Sequence, residues 1–372
     1  MAWDRATGQF ASTTRIDPSF VLYFGPNEVI ADHKFQDALR ALAPRGHLLG
    51  CTTGTFIADA TLHDDQALAV AVQLDRTETR LVSADVTVPT SRDAGVKIAK
   101  ALEAPDLVGV IVLSDSLNVE GVELVEGMRS VLGAAVPISG GLASDGADFR
   151  HTMVGADGPP REQQVAALGL YGASLKMGQG CAHGWDNFGP PRRITKADGP
   201  ILFELDGKPA LDLYEYYLGD YAAQLPSSAL RFPLLVYDPR DPARTVIRTV
   251  LNVDREARAL SFAASIQEGW TARLMRGAFD NLAEGAAAAA REARGRDGGS
   301  SPGLALLVSC VGRRIVMGEH TGDEIEAVAG ELPGRFQRVG FYSHGEISAA
   351  PNDSFCGLHN QTMTIVTLEE AA

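Results

Sequence analysis

The chain has 372 residues, of which 45% are hydrophobic and 22% charged. That is globular usage; it excludes a fibrous or wholly disordered chain, and the length points to two domains. Lys and Arg number 33 against 47 Asp and Glu, a net charge of −14, which argues against a nucleic-acid or anionic-membrane partner. Cys51, Cys181, Cys310 and Cys356 stand far apart with no C-x-x-C pair, the usage of reduced thiols. Residues 1–20 lack the apolar core of a secretory signal, and no run reaches membrane-span length. A soluble, cytoplasmic protein is expected, in which the sequons at Asn352 and Asn360 carry no weight.

In chain order, a helix is expected near Phe35–Leu42 and a strand over His47–Cys51. A hairpin follows, with arms Ala67–Leu74 and Thr79–Val86 around Asp75–Glu78. Next come helix Ala94–Leu102, strand Leu107–Leu113, helix Val119–Leu132 with Asn118 as its N-cap, strand Val136–Ser139 and strand Val165–Leu170. Between Cys181 and Pro233 the prolines, glycines and tyrosines read as a connector, with Tyr214, Tyr217 and Tyr221 packed into an inter-domain seam. Strands Pro233–Val236, Thr245–Asn252 and Ala259–Ala264 precede a long helix Thr271–Arg294, which the Gly/Ser segment Gly295–Gly303 ends. Strand Leu304–Ser309, helix Asp323–Glu331, strand Phe336–Tyr342 and strand Met363–Leu368 complete an α/β chain of mixed sheets flanked by helices. The order strand, strand, helix, strand, helix, strand occurs in both halves, as an internal duplication would produce.

Five segments then carry a resemblance. They are Gly140-Gly141-Leu142-Ala143-Ser144-Asp145-Gly146, Glu204-Leu205-Asp206-Gly207-Lys208-Pro209-Ala210, Val308-Ser309-Cys310-Val311-Gly312-Arg313-Arg314, Gly340-Phe341-Tyr342-Ser343-His344-Gly345-Glu346 and Cys356-Gly357-Leu358-His359-Asn360-Gln361-Thr362-Met363. In this order they resemble the FIST family over nearly the whole chain. The resemblance implies an N-terminal segment 1–30, an N-terminal module 31–229 that includes the connector, and a C-terminal module 230–372. It further implies a sensor that binds a small ligand, such as an amino acid or related metabolite. The signal would pass to a separate partner, a histidine kinase or a cyclic-di-GMP enzyme. Some members bind haem and respond to nitric oxide. His344 and Ser144 depart from the family's commoner Tyr and Gly, the first at a position where the ligand could change.

The loops Ser309–Arg314, Tyr342–Glu346 and Cys356–Gln361 gather polar side chains at strand ends, where open α/β sheets bind ligands. The expected binding residues are Cys310, Arg313, Tyr342, His344, Glu346, His359 and Asn360. Arg313 would clamp a carboxylate and Glu346 would receive an ammonium group, which suits an amino-acid zwitterion. For haem, His344, His359 or His183 is the candidate axial ligand. A Cys310 thiolate paired with a histidine would make a nucleophile, against which its place after an apolar run stands. Gly140-Gly141 lacks the phosphate-loop pattern, and no His or carboxylate pair has zinc-ligand spacing. No catalytic residue is assigned.

Overall fold

The computed structural model describes the chain except residues 5–6, 12–15, 296–300, 333, 350–356 and 372. Cys356, the Asn352 sequon and most of the Gly/Ser segment after Gly295 therefore lie outside the described residues.

One arrangement occurs three times. A central strand is followed by helix, a parallel partner strand, a short extension, and a return strand antiparallel to the other edge of the centre. In the first unit the three strands are Phe20–Gly25, His47–Thr52 and Leu68–Val72, with helix His33–Leu42 between the first two. In the second they are Leu107–Ser114, Ile138–Leu142 and Gln164–Tyr171, with helix Gly121–Leu132. In the third they are Gly303–Cys310, Phe336–Ser343 and Met363–Glu370, with helices Val311–Met317 and Thr321–Glu331. The repeat is therefore threefold. The correspondence expected between the two halves holds for its last four elements and misses the first unit.

A glycine marks each parallel strand. Gly50, Gly140 and Gly340 lie opposite Tyr23, Val112 and Leu307 of their central strands. A Cβ on each would meet that residue's carbonyl oxygen at 2.3, 1.8 and 1.9 Å. Close backbone approach demands glycine there, and it accounts for Gly140 without a phosphate.

The extension that follows each parallel strand leaves its own sheet. Thr55–Ala58 pairs with Phe336–Ser343 of the third unit, Gly345–Ala349 with Ile138–Leu142 of the second, and Val154–Ala156 with His47–Thr52 of the first. The inner faces of the three sheets share one core, built from residues such as Phe24, Leu113, Leu168, Val308 and Phe341. Helices cover the outer faces. With both faces covered, Gln164–Tyr171 is buried at every position, and its alternation of apolar and polar residues disappears.

Strand Glu78–Asp85 extends the second unit beyond its return strand and runs through one turn of 3-10 helix into helix Ser91–Leu102. In the third unit Leu175–Ala182 takes the equivalent place, and helix Phe279–Ala293 is the counterpart of Ser91–Leu102. Between these two the chain inserts a lobe that carries a nine-stranded sheet. Helix Ala210–Leu218 packs Leu211, Tyr214 and Leu218 against Leu202, Val236 and Leu260 of that sheet. The sheet draws strands from both sides of residue 229.

Several expectations are corrected. Leu68–Val72 and Glu78–Asp85 belong to different sheets and form no hairpin. Thr271–Gly277 is a strand, and the helix begins at Phe279. The connector is the first part of the lobe, a folded unit with its own core that runs on to Gly277. Tyr214 and Tyr217 pack in that core, with the Tyr214 hydroxyl donating to the Phe232 carbonyl at 2.8 Å, while Tyr221 is exposed. The cap of Gly121–Leu132 is Glu120, whose carboxylate accepts from the Val122 N–H at 3.2 Å. Asn118 instead donates to Asp115.

Candidate functional site

Where the lobe lies against the threefold body, a cleft of about 280 Å³ opens. Cys310 and Ser343, the last residues of two parallel neighbours, are paired in register at its floor. The cleft therefore sits outside the carboxyl ends of the strands, where loops present groups from a rigid frame. Val311, Gly312 and Ile315 of the helix Val311–Met317 form one wall, and Thr249, Val250, Leu251 and Ala263 of the lobe form the other. Residues four apart share a helix face, which brings Val311 and Ile315 to the cleft and turns Arg313 away from it.

Arg313 is completely buried. Its Nε and Nη2 donate to Glu324 Oε2 at 2.9 and 2.8 Å, and the remaining N–H groups go to the carbonyls of Leu282, His183 and Gln361. Glu324 Oε1 accepts from the Ser309 hydroxyl at 3.0 Å and the Tyr342 hydroxyl at 2.6 Å. The carboxylate clamp expected of Arg313 is thus occupied by a side chain of the protein, and the Tyr342 ring belongs to the same network. Glu346, also fully buried, accepts from the Ser343 hydroxyl at 2.6 Å and from the Thr362 hydroxyl and N–H at 3.0 and 3.2 Å. Burial pushes its carboxyl up to about 7 against these donors. Neither half of the expected zwitterion site faces the cleft. The reason is that Arg313 pairs with Glu324 of the next helix and Glu346 with Ser343 and Thr362, partnerships that one-dimensional spacing does not reveal.

Among the described residues lining the cleft no Asp, Glu, Lys or Arg occurs. The polar groups are neutral. Burial, and next the charge of Glu346, push the Cys310 thiol up. Asn360 is 1% exposed; its amide nitrogen reaches the His344 carbonyl at 3.5 Å, and its side-chain oxygen has no hydrogen-bond partner among the described residues. The Thr249 hydroxyl, in a residue 4% exposed, likewise has none.

His344 lines the cleft with both ring nitrogens engaged. Nε2 lies 2.9 Å from the Gly146 carbonyl and so donates, which leaves Nδ1 to accept from the Ser116 hydroxyl at 2.8 Å. Burial holds this imidazole below its ordinary range. His359 sits in strand Gly357–His359, opposite Glu346, and burial together with the Arg248 cation pushes it down to about 4. His183 accepts from the Trp185 N–H through Nδ1 at 2.9 Å and lies outside the cleft. The cleft therefore offers haem no free imidazole as an axial ligand, and the residues present do not fit that group. A raised Cys310 thiol beside an imidazole committed elsewhere is not an activated nucleophile either.

The residue that sequence reasoning missed is Phe149. It is 44% exposed, has a φ of +53°, and stacks on His344 with ring centroids 4.2 Å apart and planes inclined at 12°. An aromatic residue in the left-handed region is strained. The strain is sustained by Asp145, whose carboxylate accepts from the N–H groups of Phe149, Arg150 and His151 at 2.9, 2.7 and 3.0 Å. The signal available in the sequence was the run from Asp145 to His151, in which a short acidic side chain can gather downstream N–H groups.

The protein is thus a mixed α/β body with an inserted β-rich lobe and a neutral cleft between them. Two family models match its sequence, the FIST N domain over residues 19–208 and the FIST C domain over residues 210–349. The chain belongs to the FIST family, whose domains are sensory modules that bind small ligands. An uncharacterized protein of Methanocaldococcus jannaschii is 26% identical over 210 residues, which is 52% of this chain and 39% of the relative's own length. A solved structure of cyanuric acid hydrolase from A. caulinodans shares 12% identity and a TM-score of 0.25, covering 79% of this chain and 67% of the other; a likeness that low carries no argument about this protein. Among the described residues no helix is long and apolar enough to cross a membrane.

Proposed function

We propose that the protein senses a small uncharged ligand held in the cleft between lobe and body, and passes its occupancy to a separate signalling protein such as a histidine kinase or cyclic-di-GMP enzyme. The observation that carries this reading is a pair of buried oxygens with no hydrogen-bond partner among the described residues, Thr249 Oγ1 on the lobe and Asn360 Oδ1 on the body, in residues that line a cleft walled by apolar side chains. A ligand that bridges them holds lobe and body in one arrangement, and it moves the equilibrium only by preferring that arrangement. The lobe meets the body through an apolar cluster, in which Trp185, Ile247 and Met275 pack with Leu282, Val316 and Met317, and through polar contacts. Arg248 Nη1 donates to the Leu358 carbonyl at 2.9 Å, Ser265 to Glu120 at 3.2 Å, and Gln361 to the Leu230 carbonyl at 3.3 Å. The thiols of Cys51, Cys181 and Cys310 are free, in keeping with work in a reducing cytoplasm.

The test is a thermal-shift screen of metabolites on the wild type and on Ala263→Trp, which fills the cleft from the lobe side. Compounds that stabilise the wild type and not the variant should also slow hydrogen exchange in residues 227–231 and 249–251. If every stabiliser acts equally on both proteins, the cleft is not the ligand site.

A further inference from the structure

We infer that the cleft is built for a flat aromatic or heteroaromatic ligand bearing a neutral amide-type group, with its ring laid on Phe149 and its N–H donated to Asn360. The inference rests on the cleft reading above and adds the chemistry of the occupant. Three observations carry it. First, one face of the Phe149 ring is covered by His344, yet the side chain remains 44% exposed at the cleft. A platform of this kind, braced from behind by a second ring, offers its open face to another π system. Secondly, Leu251 at 40% and Ile315 at 46% exposure stand with Phe149 around the same cleft. They join it into an apolar rim from both lobe and body, and contiguous exposed apolar surface marks a binding site. Thirdly, Asn360 lines the cleft, its buried Oδ1 is an acceptor with no partner among the described residues, and no charged side chain is among the described residues lining the cleft. A ligand carboxylate would bring a second acceptor to that oxygen and bury an uncompensated charge. An amide N–H supplies the missing donor.

Phe149 is on this view a specificity-determining residue. Its left-handed backbone is maintained by the Asp145 carboxylate, and a loop without function has no reason to hold an exposed aromatic ring there.

The experiment uses a matched pair, indole-3-carboxamide and indole-3-carboxylate, titrated into the full chain by calorimetry and followed by ligand-observed NMR. The carboxamide should bind saturably and the carboxylate about ten-fold more weakly or worse. Phe149→Ala should weaken the carboxamide roughly ten-fold, and Phe149→Tyr should restore it to within about two-fold. Equal or tighter binding of the carboxylate, no saturable binding of the carboxamide, or indifference to Phe149→Ala overturns the inference. Ala263→Trp separates it from the reading beneath it. A charged ligand that binds the wild type and is lost in Ala263→Trp sinks the ligand class and leaves the cleft standing, whereas carboxamide binding unchanged in Ala263→Trp sinks both.

Discussion

Replacing Glu346 by Gln should make the protein more stable than the wild type in alkaline solution and no more stable in acid. The carboxyl is fully buried and raised from 4.5 to about 7, first by burial and against the donors Ser343 and Thr362 and the Arg313 cation. At about 1.4 kcal/mol per pH unit, that displacement corresponds to about 3 kcal/mol. Below the unfolded value both states carry the proton and the cost is nil. As pH rises through the interval between 4.5 and about 7, the unfolded chain ionises while the native carboxyl keeps its proton, so stability falls. Above the folded value the whole cost is present. Glutamine fits the site, since its amide can donate to the Ser343 hydroxyl while its carbonyl keeps the two Thr362 donors. The thiols of Cys181 and Cys310, which also feel this charge, are both raised and stay neutral throughout. The assay is urea unfolding of both proteins across that interval, with the difference in stability plotted against pH. Taking the difference cancels the histidines. A curve that rises by about 3 kcal/mol is expected; a flat one would show that Glu346 is ionised in the native state, and the reasoning from burial would fail.

Breaking the buried pair with Arg313→Met should cost about 3–5 kcal/mol, because the Glu324 carboxylate loses its cation in the interior. Denaturant unfolding of Arg313→Met, Glu324→Leu and the double variant should show the double costing less than the two singles together. On the acid side the neutral His359, held at about 4, stabilises the fold at pH above the ordinary histidine value and loses that contribution as pH falls towards 4. His359→Gln should therefore show a shallower fall in melting temperature over that range, a result that calorimetry at several pH values would supply. Phe149→Gly should cost less than about 1 kcal/mol in chemical denaturation, because relief of the left-handed backbone offsets the lost ring stack. The same change should weaken carboxamide binding about as much as Phe149→Ala does. Gly140→Ala should be among the most destabilising single changes, since its methyl group would meet the Val112 carbonyl, and expression yield and melting temperature would report it.

The strands of the body were legible because each is a compact apolar run. Leu107–Ser114, Phe336–Ser343 and Met363–Glu370 sit within two residues of where the pattern put them. What failed was partnership. Thr79–Val86 has the spacing of a hairpin with its predecessor, yet it pairs with Gln164–Tyr171, because sheet membership is settled by cores that form across long stretches of chain. The run from Thr271 read as helix because the alanines after Leu282 dominate the window, while the lobe claims Thr271–Gly277 as a strand between neighbours. At the cleft, Cys310, His344 and Asn360 follow from the rule that strand ends meet ligands. Arg313 and Glu346 follow the same rule and yet lie behind the floor, because their partners Glu324 and Thr362 become visible only in three dimensions. Phe149 follows no periodicity, and its one signal in the sequence is the preceding Asp145, whose carboxylate gathers the loop's N–H groups.

The exchange of extensions among the three units bears on how this chain is made. The edge of Ile138–Leu142 waits for Gly345–Ala349, and that of Phe336–Ser343 is closed by Thr55–Ala58, a segment synthesised almost three hundred residues earlier. A nascent chain on the ribosome accordingly carries an open hydrogen-bonding edge through most of its synthesis, the condition that favours wrong pairing with a neighbouring polypeptide. The sheets of the second and third units are completed only when the last strands arrive.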